Sequence, residues 1–589
     1  MSDLAAIVLA LSTAGGALMA VPVPLPVALV VVALAFARRA PVVLCIGAAL
    51  LASGGSARAW AGLRPPPPQA WSGVATLVSD PGDFYGAVRV DLRVGHRRVE
   101  AWARGAAAGR LRDRLAGERV SVAGRLEPLP PEVRARLARR HVAARFTVDE
   151  VGAWSPGSPT ARLANGVRRT LLAGAQSLPE DRRALFAGFV LGDDREQSVE
   201  AVDDFRASGL AHLLVVSGQN VAFVLALASP LLGRLSLGGR LAVAVMVLLL
   251  FGCVTRWEPS VLRAVAMTGV ALVASTLGRP VSGLRLLALA VTGVLLVDPL
   301  LVGSVSFLLS VGACAGIALF AGPLAAALPG PRPLAAALAV TLAAQVGVAP
   351  VLVPVFGGLP VATVPANLLA VPAAGPVMMW GLAAGLPAGL VGGAVAHVVH
   401  VPTGLLVAWV AGVARFSARL PLGELRVPHV VLLTASACLL AVPRRVGLSH
   451  RGVRAAILHR GVRAAVLLTV AVTLSAPAFL DRAPRRAWAE PVAHGARLWQ
   501  AGAASVVELD RASPASLLPA LRRRRVRRID VLVLVRRSAA GVAATVTRRV
   551  PARVVLADAG TEVDAGALRV RVEQQRTRLV AVVRLRPSE

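Results

Sequence analysis

The chain contains no lysine: all 64 of its Lys-plus-Arg positions are arginine. Without lysine there is no Walker-type loop, whose terminal lysine reaches the β- and γ-phosphates, so ATP-driven transport by this chain itself is not expected. Cysteine is nearly as scarce. Cys45, Cys253, Cys314 and Cys438 each stand alone in an apolar run, without metal-type spacing, and read as small packing residues. The polar segments 58–205 and 481–589 have none, so neither holds a disulfide. The nine histidines are scattered, none follows His494, and Asp530, Asp558 and Asp564 are not spaced as ligands. No metal site and no cofactor are expected. A basic region is missing at the start, where Asp3 stands, so the first apolar run is expected to be a retained anchor rather than a cleaved signal.

Acidic residues are also few, 32 against the 64 arginines, which leaves a formal charge of +32. Two readings are open: a genome that writes arginine for lysine, or attraction to a polyanion or to anionic lipid headgroups. Arginine suits phosphate because its planar fork bonds bidentately.

What is abundant is apolar sequence, 56% of the residues. Several windows of about 18 or more residues are nearly free of charge, the length a helix needs to cross a bilayer. The pattern predicts a polytopic α-helical membrane protein with an N-terminal extracytoplasmic OB-like β-barrel and a small C-terminal α/β domain. Three apolar runs fill residues 1–57, and Arg38 and Arg39 between the last two mark a cytoplasmic loop. The chain then emerges on the outer side. Over 58–155, after the stiff spacer of Pro65 to Pro68, apolar residues alternate with polar ones in about five short strands, which suits a small closed barrel. Such barrels bind single strands through basic grooves and aromatic platforms. Trp71, Tyr85 and Trp102 with Arg97, Arg98 and Arg104 are the candidate DNA-binding residues, although aromatics in small barrels also serve as core.

Residues 156–208 form a helical connector, and 209–442 the main membrane body. Its first stretch, 209–227, reads GLAHLLVVSGQNVAFVLAL and carries polar residues that are costly in apolar surroundings. Spans are expected near 211–233, 240–255, 259–277, 283–297, 300–321, 333–353, 361–390, 397–413 and 428–442. Dense glycine and proline between 322 and 402 predict interrupted helices, the mark of a channel or transporter body. Residues 443–480 comprise a basic cytoplasmic loop, in which HRGVRAA occurs twice, and a last span that returns the chain outside. Residues 481–589 are α/β in pattern, with a buried strand at 529–535.

His212 and Ser217 are five apart and do not share a helix face, so they are not a catalytic pair. The polar residues within apolar surroundings, His212, Ser217, Asn220, Ser260, Arg263, Gln345 and Asn367, are candidates for a translocation path. The competing reading is helix–helix hydrogen bonding or snorkelling, which Asp298 at a span end fits better.

The order of three spans, β segment, GLAHLLVVSGQNV, PSVLRA (259–264), SFLLSV (306–311) and the Gln345…Asn367 region resembles the ComEC family of competence proteins over roughly residues 1–480. The resemblance implies a channel in the bacterial cytoplasmic (inner) membrane that passes one strand of transforming DNA inward. Both soluble domains would be extracytoplasmic, and His212, Ser217, Gly218 and Arg263 would fall on motif positions. It also implies single-stranded DNA and membrane lipid as partners, together with a DNA receptor, a cytoplasmic translocation ATPase and a separate nuclease. Two departures stand out. Asn220 replaces a histidine that many members carry. In addition, 481–589 resembles a shortened, degenerate metallo-β-lactamase-like domain, because Val535 to Gly541 supplies neither histidine nor carboxylate where the metal motif belongs. The chain is therefore expected not to be an enzyme. The rival expectations are a transporter of another anionic solute, a membrane assembly scaffold, or an enzyme with an unrecognised motif.

Overall fold

The structure is a computed structural model that describes residues 2–84, 87–216, 218–276, 281–420, 422–429, 432, 489–501, 504–524, 526, 528–575 and 578–585. Tyr85, Ser217, Cys438, most of the span expected at 428–442 and all of 443–480 lie outside the described residues. The chain divides into two units. One comprises Met1–Glu196, His212–Gly358 and Asn367–Gly412; the other comprises Gln197–Ala211, Leu359–Ala366 and Val413–Glu589.

In the first unit the charge-poor start folds as α1 (Asp3–Met19), α2 (Leu25–Ala37) and α3 (Pro41–Gly62). Ser2 caps α1 by accepting from the Ala5 amide, and α2 and α3 each carry proline in the first turn, where its missing N–H costs nothing. The alternating segment then gives β1 (Gln69–Leu77), β2 (Gly82–Phe84), β3 (Ala87–Val94), β4 (Arg97–Arg104), β5 (Arg119–Pro128) and β6 (Val142–Ser155). Two short helices, α4 (Gly105–Arg112) and α5 (Pro131–Ala138), lie between them. The sheet order is β1-β5-β6-β4-β3-β2, and β1 also pairs with β3 at Thr76 and Leu77. Only β4 and β6 run parallel; the other pairs are antiparallel. Alternation sends Val88, Val90 and Leu92 of β3 into one core with Phe146 of β6 and Val120 and Val122 of β5.

The connector is α6 (Pro159–Gly174) and α7 (Glu180–Leu191); α7 starts at the acidic turn that the sequence marks and ends on Gly192 in the left-handed region. The second unit contributes α8 (Val199–Ala207). The membrane body follows as α9 (Gly218–Leu232), α10 (Leu237–Val254), α11 (Pro259–Thr276), α12 (Gly283–Val297), α13 (Val305–Ala327), α14 (Arg332–Phe356), α15 (Thr363–Val391) and α16 (Gly393–Arg419). Among the described residues six helices are long and apolar enough to cross a membrane: α3, α10, α13, α14, α15 and α16. The chain is a polytopic helical membrane protein.

Pro329, Pro331 and Pro360 fall between helices, but the prolines within the spans do not interrupt them. Pro350 and Pro354 lie inside α14, Pro372, Pro376 and Pro387 inside α15, and Pro402 inside α16. A proline opens the preceding helical turn, and a neighbour can satisfy the carbonyl it frees. Here two indoles reciprocally bond the opened turn, each at the carbonyl one residue after the freed one. Trp380 of α15 donates to the Val399 carbonyl (2.9 Å), three residues before Pro402, and Trp409 of α16 donates to the Leu369 carbonyl (2.9 Å), three before Pro372. The break falls instead in the first membrane stretch. The span expected from 211 begins as a short 3₁₀ turn (Ala211–Leu213) and leaves helical geometry over 214–216, and the described part of α9 starts at Gly218.

Helices α13 and α14 touch backbone to backbone. A Cβ on Gly347 would lie 2.1 Å from the Gly312 carbonyl oxygen, and one on Gly316 2.2 Å from that of Ala343. Gly312 and Gly316 are four apart, the small-residue spacing that lets membrane helices pack closely.

The second unit is layered. Short strands β7 (Leu359–Pro360) and β8 (Glu424–Leu425) pair with each other. A five-stranded sheet follows from β9 (Glu490–Ala493), β10 (Ala496–Ala501), β11 (Ala504–Leu509), β12 (Ile529–Leu534) and β13 (Ala552–Leu556), with β11, β12 and β13 parallel. One face packs on α17 (Pro514–Arg523) and α18 (Ala540–Arg549), the other on the antiparallel sheet of β14 (Glu562–Ala565), β15 (Leu568–Gln575) and β16 (Arg578–Leu585). Burial on both faces is why β12 reads as an almost unbroken apolar run. Ile529, Leu532 and Leu534 enter the helix-side core, and Val531 and Val533 the other. Helix α8 joins the helical layer: Val199 packs on its core, Arg522 pairs with Asp203, Arg549 with Asp204, and Arg548 with Glu200 at 3.3 Å.

Candidate functional site

Three of the motif stretches converge on one side chain. Arg263, four residues into α11, is only 5% exposed. Its Nε donates to Ser310 Oγ at 2.8 Å, and Nη1 lies 3.0 Å from Cys314 Sγ and 3.1 Å from Met267 Sδ. Ser310 and Cys314, four apart on α13, present one face to it. Gly218, the first residue of α9, closes the other side: a Cβ there would stand 3.1 Å from Arg263 Nη2. Among the described residues no carboxylate pairs with this guanidinium. A hydroxyl and two sulfurs are weak, neutral acceptors, so a full positive charge stands buried in the membrane body beside the amino end of a helix.

The remaining polar residues of the stretch hold this arrangement together. Asn220 is fully buried and donates to the Phe189 carbonyl in the last turn of α7 at 2.9 Å. Ser260 donates to the Val216 carbonyl at 2.7 Å, which bonds the first turn of α11 to the non-helical break. Val216 and Val221 share a core with Leu248, Phe251, Val261 and Ala264. His212 is exposed in the 3₁₀ turn, Asn367 is buried in α15, and Gln345 Oε1 on α14 is buried without a hydrogen-bond partner among the described residues. None of the Arg263 hydrogen bonds goes to these three.

Next to the motif lies a buried ionic joint that the sequence does not mark. Arg168 of α6 is 1% exposed and donates through Nη1 to the carbonyls of Leu191 (3.0 Å) and Val254 (2.9 Å), at the ends of α7 and α10. Its Nη2 pairs with Asp193 (2.9 Å) and Asp80 (3.0 Å). Arg256 grips Asp80 bidentately at 2.8 and 3.1 Å and also bonds Asn165, while Arg195 grips Asp193 at 2.6 and 2.8 Å. Burial pushes the Asp80 carboxyl up, but Arg168 and Arg256 outweigh it and hold it below the ordinary range. Asp193 is likewise lowered, with Arg195 and Arg168 overcoming burial. Arg256 and Trp257 both adopt left-handed backbone, which turns the chain sharply into PSVLRA. The joint thus connects the turn after β1, the connector and the start of α11.

The β-sheet residues divide. Trp71 packs on the core and meets Phe146 edge-on at 5.9 Å. Arg98 donates to the Arg140 carbonyl at 2.7 Å, Arg97 is half-buried, and Arg104 is exposed. Trp102 donates to Glu100 Oε2 (3.0 Å), meets Phe84 edge-on at 5.4 Å, and has Arg145 at 6.0 Å; Arg89 covers Phe84 at 5.5 Å. Phe84, Arg89, Trp102 and Arg145 therefore share one patch. Arg89 and Trp102 are cross-strand partners, so strand alternation alone could have linked them.

Among the described residues no group of three or more His, Cys, Asp or Glu could hold a metal. A family model described as Competence protein matches residues 189–446, a span that contains Gly218, Arg263 and Ser310. No curated protein and no solved structure matches the chain.

Proposed function

The chain carries a ComEC-family competence domain over residues 189–446, and from that premise we propose that it is the channel through which one strand of transforming DNA crosses the bacterial cytoplasmic membrane. The observation that carries this reading is Arg263, a buried guanidinium with no carboxylate partner among the described residues, where the break before α9 meets α11 and α13. Such a charge is costly in a membrane body unless an anion visits it, and a backbone phosphate matches its fork. The break before α9 is non-helical backbone of the kind tolerated at membrane depth where it lines a cavity.

The β domain is read as OB-like. Its supports are the pairing of β1 with both β5 and β3, the parallel β4–β6 pair, and the Phe84–Trp102 patch with its arginines. Trp102, in the patch with Phe84, and the exposed Arg104 are the better candidates for strand contact; Trp71 packs into the core and Arg98 is held by the Arg140 carbonyl. Both soluble domains are extracytoplasmic in this reading. The chain has no nuclease site of its own and relies on a DNA receptor, a cytoplasmic ATPase and a separate nuclease. A transporter of another anionic solute would use the same guanidinium.

The test is uptake of labelled DNA into cells that carry Arg263→Ala, with membrane levels of the protein matched. A charge-assisted hydrogen bond contributes about 1.5–3 kcal/mol, so uptake should fall by roughly 10- to 100-fold. Uptake at the wild-type rate would remove Arg263 from the path. Wild-type uptake in cells without the gene would favour the anionic-solute reading.

A further inference from the structure

In a parallel α/β sheet the crevice beyond the carboxyl ends of the strands is where ligands bind, because the loops there are free to carry polar groups. The second unit has such a crevice, a cavity of about 330 Å³ lined by Val535, Arg536 and Arg537 after β12, Ala557 to Ala559 after β13, and Gln574, Arg578 and Leu579 from the β15–β16 hairpin. The Leu579 amide donates to the Val535 carbonyl at 3.2 Å, which brings Arg578 beside the arginine pair. Arg536 is committed to Asp510, with Nε 3.0 Å from Oδ1. Arg537 and Arg578 are exposed and have no acidic partner among the described residues. The lining thus sets three guanidiniums against the single carboxylate of Asp558. Helix α18 begins just beyond Arg537 with no side-chain cap on its first turn, which adds the positive end of a helix dipole.

We propose that this crevice binds a phosphate monoester, either as a free nucleotide or as the terminal phosphate of a DNA strand, through Arg537 and Arg578. A monoester presents a dianion with three acceptor oxygens near neutral pH, which two unpaired guanidiniums on facing loops can clamp, whereas a backbone diester offers one charge and two free oxygens. Asp558 opposes the ligand and limits its affinity. The site binds without cleaving. The inference does not rest on the channel reading, because it concerns a separate unit and is read by binding alone.

The experiment is equilibrium binding to the detergent-purified full chain at low salt. The probes are inorganic phosphate, deoxythymidine 5′-monophosphate, and short oligo-dT with a 5′-phosphate or a 5′-hydroxyl. The monophosphate should bind, and the double variant Arg537→Ala/Arg578→Ala should weaken it at least tenfold. Asp558→Asn should tighten it several-fold, a gain that a misfolded protein could not give. Arg553→Ala, which removes an exposed arginine of β13 outside the crevice, should leave binding unchanged. Preference for the 5′-phosphorylated oligonucleotide over its 5′-hydroxyl twin identifies a strand end as ligand; binding of the mononucleotide alone identifies the free source. Equal weakening by Arg553→Ala, or no effect of the double variant, overturns the proposal and indicates diffuse attraction to a basic surface.

Discussion

Arg168→Met tests whether the ionic joint holds the first unit together, and its cost follows from what each partner keeps. Methionine fills most of the space of the arginine stem, so the packing loss is small. Asp80 retains the Arg256 fork and Asp193 retains that of Arg195. The loss of about 3–5 kcal/mol that follows from orphaning a buried charge therefore does not apply. What is orphaned is the pair of carbonyls of Leu191 and Val254, buried at two helix ends. At about 1–3 kcal/mol for each unsatisfied group, partly relieved by water, the expected loss is about 2–4 kcal/mol.

Thermal unfolding of the detergent-solubilised full chain should show a melting point several degrees lower. Backbone amides at 191–196 and 252–258 should exchange hydrogen faster, while those of the C-terminal sheets stay as they were. Arg168→Lys separates charge from geometry. A single ammonium cannot reach two carbonyls and two carboxylates in the directions of a planar fork, so it should recover less than half of the loss. A lysine variant as stable as wild type would refute the fork argument, and unchanged exchange at both helix ends would refute the role of Arg168 altogether.

Asp91 should respond to pH in the opposite sense to Asp80 and Asp193. Burial raises its carboxyl despite Arg140 at 2.6 Å, so the folded state resists ionisation and stability is lost as pH rises from the unfolded value towards the raised folded one. Asp91→Asn should then stabilise the protein at neutral pH and not in acid, as chemical denaturation at the two pH values would show. The contributions of Asp80 and Asp193, whose folded values are lowered, are instead complete above the unfolded carboxylate range and vanish only as pH falls through those lowered values. Gly347→Ala should destabilise the membrane body by about 1–3 kcal/mol, since its Cβ would overlap the Gly312 carbonyl. Gly293→Ala on α12, where a Cβ meets nothing within 4 Å, should be neutral or slightly stabilising in the same melting assay.

Element types were legible where one physical signal dominates. Charge-poor runs place the membrane helices, and period-two alternation places β1, β3, β4, β5 and β6, because burial on one face leaves little choice. The proline-rich region misleads for a physical reason. A proline's cost in a helix depends on what surrounds the opened turn, and Trp380 and Trp409, which bond the carbonyl next to the freed one, come from a different helix in each case. The ionic joint was not legible. Arg168 and Val254 are 86 residues apart and Arg256 and Asp80 are 176 apart, so no local spacing marks either contact. The GxxxG spacing of Gly312 and Gly316 was readable in the sequence, as was the four-residue spacing that puts Ser310 and Cys314 on another face of the same helix.

The arrangement around Arg263 also shows what Asn220 does in the stretch 209–227, where the resemblance leads one to expect a histidine. That side chain is wholly enclosed, and its described contact is donation to the Phe189 carbonyl. A neutral donor is what that carbonyl needs, and an amide supplies it as well as an imidazole N–H would. For that contact the exchange keeps the donor and removes a proton that could titrate. Ser260, likewise, spends its hydroxyl on the Val216 carbonyl. Asn220 and Ser260 each bond a backbone carbonyl, and among the described residues no carboxylate neutralises the guanidinium of Arg263. A buried cation kept short of a counter-charge is destabilising on its own, and in the proposed reading a visiting anion offsets that cost.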